Sequence, residues 1–383
     1  YYGRGDMDGV RHTFRFKVLV VAAITAGAIG LFLALGPTLI GAYIAADTSP
    51  ADAAATRDYA WGYLRIMLVG LAPFALTQCY AGTLRESGQT VLPMKASMLA
   101  MVVNFVFNLL LIFGLCGFPK MGVAGAAVAT VLSRFVELLI VVIGAHRSTG
   151  RYPFFAGVYR SFAIPRALTG DIFRKSMPLL VNELMWGMGQ AVLLQCYSVR
   201  GIQAVAALNI CNTIAQIFNE VFLSLGNATA IVVGQELGAD RLTGARRTAW
   251  RMLSLSAASC VVMGTLLTIC APLIPQIYNT EESIRLLATE LIRMAALCMP
   301  LFGFANCAYF TLRSGGKTFI TFLFDSCFSW VVSVPAAYCL SRFTGLPLVS
   351  IYLIVNGLDI VKCAIGFVLV KKGVWVKNIV SEA

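Results

Sequence analysis

Charge is what this sequence has least of. Asp, Glu, Lys and Arg make up 13% of its 383 residues, roughly half the share a water-facing domain carries. Histidine is scarcer still: His12 and His146 are the two in the chain, both in basic segments, so a histidine-centred active site is not expected. No C-x-x-C occurs. The eleven cysteines are an odd number, and most, such as Cys79, Cys196, Cys260 and Cys327, sit inside apolar runs, where a thiol behaves as a small hydrophobe. Neither a disulfide framework nor a zinc site is expected. The chain also lacks G-x-S-x-G, a P-loop and H-E-x-x-H, which leaves no recognisable catalytic constellation and no ATP site. Apolar residues fill the space instead, at 58% of the chain with a mean hydropathy of +0.79. That excess is too large for one buried core. It excludes a soluble enzyme, a nucleic-acid binder and a disordered scaffold. The net charge of +12 then reflects Lys and Arg held in cytoplasmic loops. The chain reads as an all-α integral membrane protein.

A spanning helix needs about 20 mostly apolar residues. Runs with little or no charge cover 18–46, 66–84, 96–119, 121–145, 176–199, 201–235, 252–280, 294–312, 317–341 and 343–370, which predicts ten helices in a compact bundle. Counting positive charges orients them. Of the 30 Lys and Arg, 21 fall on the side that holds Arg4, Arg85, Arg151, Arg246 and Lys371; seven fall on the other, and Arg134 and Lys362 lie within spans. Both ends of the chain are therefore expected in the cytoplasm, in a cell membrane. The longest and most basic connection, 146–175, reads as a linker. It divides the chain into an N-terminal lobe at 1–145 with four spans and a C-terminal lobe at 176–383 with six.

The two lobes repeat each other. At a constant offset of 228, Thr83-Leu84-Arg85-x-x-Gly88-x-Thr90 matches Thr311-Leu312-Arg313-x-x-Gly316-x-Thr318. The same offset pairs Arg65 with Arg293, Phe74 with Phe302, Cys79 with Cys307, and Gly117-x-Pro119 with Gly345-x-Pro347. Matching helices start on the same side, so the repeat is parallel, about an axis along the membrane normal. Two long helices precede Gly238 in the second copy, whereas nothing precedes Gly3 in the first. This predicts an N-terminally truncated chain whose parent has six plus six helices.

Ionisable and amide groups in spans are costly and mark candidate functional positions. On the helix at 176–199, Glu183, Trp186, Gln190 and Tyr197 follow helical spacing along one face, with Asn182 beside them. The next helix carries Asn209, Asn212, Gln216, Asn219, Glu220 and Asn227 with the same period. Aligned stripes of this kind line a hydrated cavity or bond one helix to another. Glu183 stands out because a carboxylate without a partner in a bilayer is favoured when it takes up a proton. Asn104 and Asn108 lie one turn apart. Asp325 falls eight residues after Lys317, near the cytoplasmic half. Asp359 with Lys362, and Arg134 with Glu137, are spaced i, i+3 and read as pairs that neutralise themselves in place. Pro73, Pro178, Pro300 and Pro335 fall in or at the ends of spans, where they free backbone carbonyls.

Taken in order, several stretches resemble one family. Asn104-x3-Asn108-x3-Ile112-Phe113-Gly114, Gly117-Phe118-Pro119, Gly122-Val123-Ala124-Gly125-Ala126-Ala127 and Ala129-Thr130 are similar to the multidrug and toxic compound extrusion (MATE) family. So are the duplicated Leu-Arg-x-x-Gly-x-Thr, the Gly3-x-Gly5-Asp6 and Gly234–Asp240 segments, and Asp325-x4-Trp330-x4-Pro335. The resemblance implies two six-helix lobes around a central cleft and export of organic, often cationic, compounds in exchange for H⁺ or Na⁺. It places Glu183 on the helix that contributes a cation-coupling carboxylate, with Asn182 and Asp325 as further coupling candidates and a Na⁺ as one occupant near Glu183. Trp186, Gln190, Tyr197, Asn209, Asn212, Gln216, Glu220, Asn104 and Asn108 become candidates for the cavity lining. In the N-terminal lobe some members pair an acid on the first helix with N-x3-D on the fifth; here that pair is Asn104 and Asn108, both amides. No cofactor is implied beyond the coupling ion, partners are small organic molecules and membrane lipid rather than nucleic acid, and a monomer suffices. The alternative, a flippase for a lipid-linked precursor, calls for a basic cavity to hold a diphosphate, whereas the central helices carry acids and amides.

Overall fold

A computed structural model describes residues 1–43 and 50–377. The end of the first expected span, at 44–46, and the last six residues of the C-terminal lobe, 378–383, lie outside the described residues. All regular structure among the described residues is helical. The chain divides into two compact units, 1–165 and 166–383.

The first unit contains α1 (Met7–Tyr43), α2 (Pro50–Val69), α3 (Leu71–Glu86), α4 (Val91–Phe113) and α5 (Val123–Arg147). Gly5, at φ 80°, turns the chain into α1, and the Asp6 carboxylate caps that helix by accepting from the Gly9 amide at 2.8 Å, one of the amides a helix start leaves free. Helices α2 and α3 meet at Gly70 and act as one span covering Ala53–Glu86. This is longer than the expected 66–84 and takes in Arg57, Asp58 and Arg65. Long charged side chains near a helix end reach the interface while their stems stay apolar, so a charge does not mark where such a helix stops. After α5 the chain turns back onto its own unit. Phe154 and Phe155 are fully buried, together with Tyr152 and Val158. The Arg15 guanidinium donates to the Val158 and Gly157 carbonyls at 2.7 and 3.4 Å. Phe155 stacks on Tyr80 and meets Phe14 edge-on, both at 5.1 Å. The Tyr80 hydroxyl bonds His146 Nε2 at 3.0 Å and the Tyr159 hydroxyl at 2.5 Å.

The second unit contains α6 (Arg166–Ser198), α7 (Ile202–Gly238), α8 (Leu242–Cys270) and α9 (Glu282–Ser314). The short α10 (Thr318–Phe322) runs through π-helical turns at 323–327 and 329–333 into α11 (Val334–Phe343), followed by α12 (Leu348–Gly357) and α13 (Asp359–Lys372). Helix α9 is the hub, packed against α7, α8, α12 and α13. It carries the most buried residues, among them Leu291, Cys307, Ala308 and Leu312. Gly264 of α8 faces the Ala296 carbonyl of α9, so close that an added Cβ would lie 2.7 Å from it. Small residues of this kind let two backbones approach where lipid supplies no hydrophobic drive.

Among the described residues, nine spans are long and apolar enough to cross a membrane. The tenth expected helix is α6. Its 33 residues extend about 50 Å at 1.5 Å per residue, but it is not among the nine: Asn182, Glu183, Gln190 and Gln195 dilute its apolar character. Large apolar side chains, such as Ile24, Phe105, Leu139 and Ile269, stay uncovered along the spans, as lipid-facing surfaces do. Pro178 and Pro300 lie inside α6 and α9, while Pro73 and Pro335 fall in the first turns of α3 and α11.

The internal repeat is visible in the backbone. Helix α3 ends at Glu86 and α9 at Ser314, 228 residues apart. Beyond those ends Gly88 and Gly316 turn left-handed, at φ 75° and 71°. Gln89 N donates to the Leu84 carbonyl at 2.8 Å and Lys317 N to that of Leu312 at 3.3 Å, while Gly88 and Gly316 donate to Arg85 and Arg313 at 2.9 and 3.0 Å. This is the same glycine-dependent C-terminal cap, written twice by Leu-Arg-x-x-Gly.

The second copy of that cap carries a further contact. Gly373, at φ 69°, ends α13 and turns the fully buried Trp375 inward. The Trp375 carbonyl then lies where a Cβ on Gly315 would stand. Backbone cannot yield as a flexible side chain does, so Gly315→Ala is expected to cost about 1–3 kcal/mol. A lower melting temperature and faster proteolysis at Lys372 and Lys377 would show it; native-like values for both would refute it.

Candidate functional site

In the second unit, the polar groups of α6, the π-helical turns, α9 and α13 converge. Asn182 is the hub, 1% exposed. Its Oδ1 accepts from the Ser326 hydroxyl at 2.7 Å and from the Ser326 amide at 3.3 Å. Its Nδ2 donates to Asp325 Oδ2 at 3.2 Å and to the Tyr309 hydroxyl at 3.3 Å. The Ser326 hydroxyl also lies 2.8 Å from the Asn182 carbonyl. Asp325 spends its other oxygen on Lys362, whose Nζ stands 2.6 Å away, with both side chains less than one-fifth exposed. Lys362 also sits over the Phe324 ring at 5.6 Å. One helical turn further on, Trp330 Nε1 donates to the Met185 carbonyl of α6 at 2.9 Å. The π-helical winding matters here. A π-turn carries an extra residue per hydrogen-bonded ring, which changes which side chains share a face, and Asp325, Ser326 and Trp330 all reach α6 or its carbonyls.

The other expected site residues divide sharply. Glu183, Trp186 and Gln190 lie on the exposed side of α6, so Glu183 is next to the network without belonging to it. Tyr197 does not continue that face: it is 5% exposed in the core, 6.2 Å from Tyr352. On α7, Asn209, Asn212, Gln216 and Glu220 are exposed, as is Asn227; the Asn227 amide donates to the Leu223 carbonyl of its own helix. In the first unit, Asn108 Nδ2 donates to Asn104 Oδ1 at 3.0 Å and Asn104 Nδ2 to Thr130 Oγ1 of α5 at 3.3 Å. The pair therefore joins α4 to α5.

Both i, i+3 pairs read as self-neutralising find other partners. The ion pair of Lys362 is with Asp325, 37 residues away, rather than with Asp359. Glu137 accepts from Ser97 of α4 at 2.6 Å, and Arg134 covers the Phe74 ring at 4.2 Å. Spacing along one helix places charges on one face but is blind to what another helix brings to that face. The offset of 228 matches Ser97 with Asp325 and Arg134 with Lys362, but the matched residues of the first unit do not pair with each other. No cluster of three or more His, Cys, Asp or Glu suited to a metal occurs among the described residues.

These features define a multi-pass, all-helical membrane protein built from a duplicated set of spans, with a buried amide–carboxylate–ammonium network in its second unit. The MatE family model matches residues 1–110 and 178–339, and the chain belongs to that family, the multidrug and toxic compound extrusion proteins. Among curated relatives, it is 24% identical over 290 residues to the probable multidrug resistance protein YoeA of Bacillus subtilis, covering 76% of this chain and 63% of that protein. It is 23% identical over 323 residues to the probable multidrug resistance protein NorM of Thermotoga maritima, covering 83% and 68%. The chain thus spans less than two thirds of the length of relatives such as YoeA. Among solved structures, it superposes on a Vibrio cholerae MATE transporter, VcmN, with a TM-score of 0.84 at 15% identity, over 98% of this chain and 82% of that one. An outward-facing multidrug resistance MATE family transporter gives a TM-score of 0.80 at 19% identity, over 97% and 80%.

Proposed function

We propose that this chain forms the body of a secondary active exporter in the cell membrane. It moves small organic, often cationic, compounds outward in exchange for H⁺ or Na⁺ by alternating access. The observation that carries this reading is the exposed carboxylate of Glu183 on α6, one residue from the Asn182–Asp325–Lys362 network. A coupling ion drives transport only through different affinities for the two access states. A carboxylate that leaves bulk solvent in one state and regains it in the other supplies that difference. Membership of the family, and the multidrug resistance relatives, support the same reading. Both ends of the chain are assigned to the cytoplasm on the excess of basic residues there.

The test is uptake of a fluorescent organic cation into inside-out vesicles, driven first by a pH gradient and then by a sodium gradient. Gradient-driven uptake is expected, and Glu183→Gln is expected to lower it by about tenfold or more, as for an intramembrane acid that carries the coupling. Unchanged uptake and coupling in Glu183→Gln would refute the assignment. Absence of uptake under both gradients, in folded protein, would refute the exporter itself.

A further inference from the structure

The second unit holds a buried carboxylate, Asp325, at the depth of the spans, and the position a free cation would take on its Oδ1 is filled. The Lys362 ammonium lies 2.6 Å from Asp325 Oδ1, while Asp325 Oδ2 is engaged by Asn182. The groups around them are specified on every side. Helix α13 brings Lys362 itself and Asp359; α6 brings Asn182 and Glu183; α9 brings the Tyr309 hydroxyl, which accepts from Asn182, and Arg313, which acts electrostatically on Glu183; the π-turn brings Asp325 and the Phe324 ring. An ammonium and Na⁺ carry the same charge, but the ammonium is tethered by its own helix. Displacing it requires a competitor to overcome an effective local concentration of millimolar order or higher.

We propose that Lys362 is a built-in cation that occupies the free oxygen of the Asp325 carboxylate, whose other oxygen Asn182 holds, and closes it to Na⁺. Asp325 then binds a free monovalent cation only when the lysine is neutral or withdrawn, so sodium does not use this carboxylate as long as the ion pair is made. The first unit shows how particular this is. The matched positions there are Ser97 and Arg134, and Ser97 bonds Glu137, so no carboxylate stands at the position equivalent to Asp325. This inference rests on reading Asn182 and Asp325 as part of the coupling site, and it narrows the coupling ion there.

The experiment is equilibrium binding of radioactive sodium to the purified chain in detergent, read without any transport, so that failure of export and failure of this proposal are separable. The native chain, and Lys362→Arg, which keeps a tethered cation, are expected to show no sodium binding that depends on Asp325. Lys362→Gln is expected to bind Na⁺ at least about tenfold more tightly than the native chain, and Asp325→Asn added to it should abolish the gain. Removing one partner of a buried pair is destabilising, so Lys362→His serves as the second variant. It is expected to exclude Na⁺ below about pH 6, where imidazole is charged, and admit it near pH 8 in the same folded protein. Sodium binding by the native chain that Asp325→Asn abolishes would overturn the proposal. So would a folded Lys362→Gln, or a Lys362→His at pH 8, with no gain.

Discussion

Replacing Phe155 by alanine is expected to destabilise the first unit by about 3–5 kcal/mol, the range for deleting a fully buried phenylalanine. The size of the effect follows from where the residue sits. Many large apolar side chains of this protein are exposed along the spans, and a leucine that moves from a helix contact to lipid loses packing but little hydrophobic free energy. Phe155 lies in the segment beyond α5, outside the spans, where burial withdraws it from water. Its ring contacts Phe14, Tyr80, Phe154 and His146 at 4.7–5.9 Å between centroids, and Tyr80 and His146 are held in place by the Tyr80–His146 and Tyr80–Tyr159 hydrogen bonds. Thermal melting in detergent should show a large drop. The control is Phe162→Ala, a residue 48% exposed in the same segment, for which a change within about 0.5 kcal/mol is expected. Equal effects from the two would mean that the aromatic cluster does not hold this segment in place.

Asn182→Leu is expected to cost about 3 kcal/mol or more and to abolish export along with it. Leucine has a similar volume, so no cavity explains the loss. What it removes is an acceptor for two Ser326 donors and a donor to Asp325 and Tyr309. Each buried group left without a partner costs about 1–3 kcal/mol. Ser326→Ala, which removes the hydroxyl but leaves the amide and carboxylate partners in place, is expected to lose about 1 kcal/mol, the net worth of a single hydrogen bond. Melting temperatures of the two variants rank them, and a native-like Asn182→Leu would show that the network contributes neither stability nor transport.

The parts of the fold that were legible in the sequence are those that depend on local pattern. The uncharged runs located the spans because every residue facing lipid must be apolar, and Leu-Arg-x-x-Gly announced the same helix cap twice because only glycine turns left-handed there without strain. Span ends were less legible, as Arg57 and Arg65 within α2 show. The site was half legible. Asn182, Glu183 and Asp325 stood out as polar groups in apolar helices, but Lys362 was assigned to the nearest opposite charge in sequence, Asp359, when its partner comes from another helix. Tyr197 had the right spacing for the polar face of α6, yet a tyrosine has a large apolar body, and the core around Tyr352 took it. The π-winding that presents Asp325, Ser326 and Trp330 to α6 has no signature in residue type alone.

One duplication has met two fates in this chain. The caps after α3 and α9 still share Thr-Leu-Arg-x-x-Gly-x-Thr and the same left-handed glycine, so the backbone of this turn has been kept. Where α4 meets α5 and where the π-turns after α10 meet α13, the chemistry has parted: serine and arginine stand at 97 and 134, aspartate and lysine at 325 and 362. Architecture and chemistry have thus drifted at different speeds. The same stretch of scaffold carries a hydroxyl in one copy and a buried ion pair in the other.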